Sequence, residues 1–184
     1  SKEGLWYHCG ERSTPSATGS SLSSPPPMPT LEKRQYVAEQ LRGVNREART
    51  LDIIASDFSL DSYGTRIDPA GWDLEQFRKN GPICVQHDSY SRDGLPVAQP
   101  VPESIRVADG KLLMTIRFPA KGVDETADRA FELAAAGILR GISVGFDPIE
   151  WEDSDELVDG EMRKVRVFKK QRLMEVSLVT IPSN

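Results

Sequence analysis

The sequence predicts a mainly β domain with flanking helices, of the α+β class, and three observations predict it. Short apolar runs separated by turn signals begin at Tyr36. Two Asp-Gly pairs, Asp109-Gly110 and Asp159-Gly160, sit between strand-like segments, and Asp-Gly supplies the positive φ values that a tight hairpin turn demands. Only one or two helices are expected among them. A length of 184 residues fits one domain or one domain with a tail.

The tail comes first. Residues 13–29 hold six serines and five prolines, a composition that buries too little apolar area to offset the entropy of ordering. Residues 1–30 are therefore expected to be a disordered tail and residues 31–184 the domain, with Met28 the expected start of the functional chain. Gln35 to Val44 is then a candidate hairpin partner, or a helix, for the buried strand Thr50 to Ala55. Asp73 to Arg78 reads as a short helix stopped by Asn80-Gly81-Pro82.

Ile105 to Val107 and Leu112 to Phe118 form the clearest hairpin, across Asp109-Gly110. Asp124 to Ala136 reads as a helix with Asp124 as N-cap, Ala127, Ala130, Phe131, Ala134 and Ile138 as its apolar face, and Gly137 as its stop. A second hairpin is expected around Asp159-Gly160. An acidic arm from Glu150 to Glu156 leads in and a basic arm from Arg163 to Lys170 leads out, so opposite charges can pair across the strands. This ribbon reads as a solvated surface or as a docking element.

Composition narrows the function classes. With 23 basic and 28 acidic residues the formal charge is −5, unlike a nucleic-acid binder. No run approaches the ~20 apolar residues of a membrane-spanning helix, and the N-terminus lacks the layout of a secretory signal. The two cysteines, Cys9 and Cys84, suggest neither a disulfide framework nor a thiolate metal site. The two histidines, His8 and His87, cannot supply a multi-histidine metal site, and HExxH, GxGxxG and P-loop motifs are all missing. No metal and no cofactor are expected.

Chemistry is best accommodated in three segments. In Gly141-Ile142-Ser143-Val144-Gly145-Phe146, alternation puts Ile142, Val144 and Phe146 on one strand face and Ser143 between two glycines on the other. Gly141 and Gly145 then either clear a substrate cleft around an exposed nucleophile or let another backbone pack closely, with Ser143 as filler. His87 ends the run Ile83 to His87, aligned by strand alternation with Ile83 and Val85 and placed beside a polar loop. Glu175 interrupts the apolar strand Leu173 to Val179. It faces solvent, pairs with a neighbour such as Arg172, or accepts the His87 ring N–H. His87, Ser143 and Glu175 together offer a base, a nucleophile and an orienting acid on three strands. Ser177 is a rival nucleophile, disfavoured because Val176 and Leu178 adjoin it and no glycine opens its face.

Several segments, in this order, resemble the prohead (capsid maturation) proteases of tailed bacteriophages. They are Ala55-Ser56-Asp57 with Asp61 and Gly64, Gly71-Trp72-Asp73-Leu74, Val85-Gln86-His87-Asp88, Leu139 to Pro148, and Glu175 to Pro182. The resemblance spans about residues 33–184 and implies a single β-barrel-like domain similar to herpesvirus assemblin. It implies a serine endopeptidase that cleaves scaffolding segments of the major capsid protein, and itself, inside the immature capsid in the host cytoplasm. By position Ser143 is the nucleophile and His87 its base, with Glu175 at a third position that varies between carboxylate and histidine. The partners implied are the major capsid protein and scaffold as substrates and further copies of the chain, with no nucleic acid and no membrane. The rival from another class is a noncatalytic β-rich capsid-assembly or scaffolding module.

Overall fold

The computed structural model describes residues 40–89 and 94–182. The predicted tail, Met28, both His8 and Cys9, and residues 35–39 of the expected first strand lie outside these residues. The described chain is mainly β, with ten strands in two five-stranded sheets. The hydrogen-bonded closure of a single barrel, expected from the resemblance, does not appear in the pairing of the described strands.

The first sheet is built on the strand Thr50–Asp57 (β2), paired antiparallel with Leu41–Asn45 (β1) and Lys111–Arg117 (β8). Gln99–Pro100 (β6) and Arg106–Ala108 (β7) pair with the far edge of β8. The β7–β8 turn has Asp109 and Gly110 at φ 52° and 68°, the geometry read from the Asp-Gly pair. Of the expected first hairpin, the described part is a strand and not a helix.

The second sheet is organised by one long antiparallel pair, Gly141–Val158 (β9) and Glu161–Val179 (β10). Asp159 and Gly160 turn between them at φ 52° and 82°. The charged hairpin and the two site strands expected separately are thus one continuous ribbon. Along it Arg166 grips Asp153 through Nε and Nη2 at 2.7 and 3.0 Å, and Lys169 Nζ meets Glu152 at 2.8 Å. Three short strands dock in parallel on the other edge of β10: Thr65–Ile67 (β3), Trp72–Asp73 (β4) and Ile83–Val85 (β5).

Two helices flank the sheets. Glu75–Asn80 (α1) buries Phe77. Glu125–Ala135 (α2) starts where the Asp124 carboxylate accepts the Ala127 N–H at 2.6 Å. It buries Ala127, Ala130, Phe131 and Ala134 against β2 and β8 residues in one core cluster. Ile138, expected on that face, is 71% exposed. Gly137 adopts φ 71° and its N–H bonds Ala134 O, while the Ile138 N–H bonds Leu133 O. This left-handed cap reverses the chain before Ile138 can continue the helical stripe.

One irregularity in β10 positions the site. Leu173 faces Phe146 and Glu175 faces Gly145, so Met174 is an extra residue in the ladder. Leu173 and Glu175 have the same parity in sequence, and the bulge puts Leu173 in the core cluster beside Val176 and Leu178 while Glu175 turns to the opposite face. A regular strand would have sent both side chains the same way.

Candidate active site

Ladder register gathers the residues. Ser143 in β9 lies directly opposite Ser177 in β10, and Gly145 opposite Glu175. On the other side of β10, Ser177 pairs with Cys84 and Leu178 with Val85 of β5. Three adjacent strands therefore deliver the candidate groups to one place.

His87 reaches them through a turn. The expected strand run through His87 stops at Val85; Gln86 and His87 adopt φ 56° and 57°, the left-handed region. This conformation is uncommon for residues with a Cβ and is held here by several bonds. The Gln86 N–H donates to Leu178 O at 2.9 Å, the Asp88 N–H to Val85 O at 3.0 Å, and the His87 N–H to Ser177 Oγ at 3.2 Å. The Gln86 side-chain amide donates to Thr180 Oγ1 at 2.8 Å. The imidazole is thereby folded back over β10.

The result is a continuous hydrogen-bonded line. Ser143 Oγ lies 2.9 Å from His87 Nε2, and His87 Nδ1 is hydrogen-bonded to Glu175 Oε1. The second carboxylate oxygen, Oε2, accepts from Ser177 Oγ at 2.6 Å. With Nδ1–H donated to Glu175, the neutral ring presents Nε2 as acceptor for the Ser143 hydroxyl. Glu175 is nearly enclosed, its side chain 6% exposed against 16% for His87. Of the three sequence readings for Glu175 the geometry matches the third, since Arg172 instead holds Asp73 at 3.1 Å. The arrangement can take a proton from a hydroxyl and return it to a leaving group.

The two glycines expected to clear a substrate cleft are both buried, and their bare faces are filled from within the protein. A Cβ on Gly145 would collide with the Glu175 carboxylate, and one on Gly141 with Val179 O and the Pro182 ring. Close packing is what these glycines permit. Gly145 makes the room in which Glu175 sits.

One neighbour escaped the sequence reading, and another, Ser177, enters it only as a rival nucleophile. Gln40, 2% exposed, uses its side-chain amide like a strand edge: Oε1 accepts the Ile142 N–H at 3.0 Å and Nε2 donates to Ile142 O at 3.4 Å. Its own carbonyl accepts the Ile54 N–H at 2.8 Å, which ties β9 beside Ser143 to the first sheet. Ser177 is the other, and its place two residues from Glu175 on one strand face was available as a signal. Cys84 lies alongside, its thiol pushed up to about 11 by burial and by the charges of Glu175 and Asp88. Among the described residues no group of His, Cys, Asp and Glu could hold a metal ion, and no helix is long and apolar enough to cross a membrane.

Comparison with known families bears out the resemblance over part of the chain. Residues 114–184, about two-fifths of the sequence, match the model of the caudovirus prohead serine protease family. The matched stretch runs from within β8 through α2 and the β9–β10 ribbon; it contains Ser143 and Glu175 and begins after His87. Comparisons with curated proteins and with solved structures returned no match.

Proposed function

We propose that this chain is a serine endopeptidase of prohead maturation, with Ser143 as nucleophile, His87 as proton carrier and Glu175 as the acid that orients the ring. The observation that supports it most is the line from Ser143 Oγ to His87 Nε2, 2.9 Å long, continued from Nδ1 to a buried carboxylate. The family match over residues 114–184 supports the reaction class independently.

In this reading the Ser143 Oγ attacks the scissile carbonyl carbon while its proton passes to Nε2. The imidazolium, stabilised by Glu175, then gives that proton to the leaving nitrogen as the C–N bond breaks and an acyl-serine forms. Water attacks the ester with Nε2 again taking a proton, and the acid product leaves as the Ser143 hydroxyl is restored. Substrates are scaffolding segments of the major capsid protein and the chain itself, cut inside the prohead in the host cytoplasm, where copies of the protease are concentrated enough to associate. Residues 31–184 are the protease domain, so a chain lacking residues 1–27 is expected to fold.

The test uses two readouts. Wild-type protein, over a series of concentrations, is expected to form a fluorophosphonate adduct at Ser143 and to cut capsid protein bearing its scaffold segment. Ser143→Ala is expected to do neither. Cleavage by Ser143→Ala, or an adduct elsewhere, would overturn the assignment. Failure of the wild type in both assays would return the fold to a noncatalytic assembly module.

A further inference from the structure

Ser177 belongs to none of the roles above, yet it touches two of their holders. Its side chain is fully buried in the strand that separates Ser143 from the His87 turn. A hydroxyl carries one donor and two acceptor lone pairs, and both functions are engaged at once. The oxygen accepts the His87 backbone N–H at 3.2 Å, and the proton goes to Glu175 Oε2 at 2.6 Å. One atom therefore connects the main chain that carries the base to the far oxygen of the acid.

Resting on the protease reading, we propose that Ser177 is a positioning residue that sets the imidazole and the carboxylate in register before Ser143 is deprotonated. A carboxylate held at one oxygen only can rotate about its terminal bond, because that torsion is broad. With Oε2 fixed by Ser177, Oε1 stays aimed at Nδ1. The His87 N–H bond meanwhile braces a left-handed turn that the backbone disfavours. Both effects act on where Nε2 points, 2.9 Å from the Ser143 hydroxyl. Ser177 is not itself placed to attack a substrate, being wholly enclosed with its proton donated to the acid.

The experiment measures fluorophosphonate labelling of Ser143 in wild type, Ser177→Ala, Ser177→Cys, Glu175→Gln and the Ser177→Ala/Glu175→Gln double variant, with melting curves for each. Ser177→Ala is expected to slow labelling about 10–100-fold, the usual cost of losing a group that orients a reacting one. On peptide substrate the loss falls on kcat with KM little changed. In the Glu175→Gln background the same substitution is expected to change the rate by less than about threefold, the limit for groups that act through one another. Ser177→Cys keeps the volume with a weak donor and decides the question by the same comparison if Ser177→Ala does not fold. Wild-type labelling in Ser177→Ala or Ser177→Cys, or an equal slowing in both backgrounds, would overturn the positioning role alone. An unlabelled Ser143 in the wild type would overturn the protease reading as well.

Discussion

Replacing Gly145 by alanine separates a glycine that seats the acid from one that opens a cleft. The added Cβ would lie 2.8 Å from Glu175 Cγ and 3.0 Å from its Cδ, and nearer still to Oε1. Carbon atoms rest at about 3.5–4.0 Å, so the carboxylate has to retreat by about 1 Å. A displacement of that size in a reacting array costs about 100-fold in rate. Complete loss of the orienting carboxylate from a serine protease costs about 10,000-fold. Gly145→Ala is therefore expected to slow Ser143 labelling by a factor between about 100 and 10,000. Overpacking in a buried site costs about 1–3 kcal/mol, which lowers Tm by roughly 2–12 °C for a domain of this size. The assay is labelling rate by intact mass, with circular dichroism for the melt and Gly110→Ala as control. Gly110 has φ 68° and open space around its Cα, so alanine there strains a distant turn and lowers Tm without slowing the chemistry. Labelling of Gly145→Ala at the wild-type rate would refute the reasoning. A raised KM for peptides with unchanged labelling would restore the cleft role.

Further expectations follow from the packing. Asp124→Ala removes the acceptor of the Ala127 N–H and is expected to cost about 1 kcal/mol in urea unfolding, with most of it recovered by Asp124→Asn. Arg49 donates to Pro119 O at 2.7 Å and Asp128 at 2.6 Å, with its guanidinium 4.6 Å from the centre of the Phe131 ring. Arg49→Met is expected to lower stability by about 1.5–3 kcal/mol, the range for hydrogen bonds to charged groups, read as a shifted urea midpoint at constant slope. Cys84 is 1% exposed with its thiol pushed up to about 11. It should resist iodoacetamide at pH 8 until denaturant is added, as followed by mass spectrometry of its peptide; rapid alkylation of native protein would contradict the burial.

Features governed by neighbours in sequence were legible, and those governed by distant partners were not. Both Asp-Gly turns, the Asp124 cap and the buried face of α2 depend on a few adjacent residues, and each is where local chemistry puts it. Ile138 failed because the left-handed Gly137 ended the helical phase one residue earlier. Parallel strands of two or three residues such as β3 and β4 carry no periodicity of their own and exist only because β10 offers an edge. In the site, candidate residue types could be named, but two backbone events joined them. One is the left-handed pair Gln86–His87, which no composition rule announces. The other is the Met174 bulge, without which alternation would send Glu175 to the same side as Leu173.

Because β5, β9 and β10 are neighbours in one sheet, the groups at the site share the lattice that holds the second sheet together. Inactivation on heating should then coincide with global melting instead of preceding it, and amide exchange at Ser177 should require the same opening that abolishes the fold.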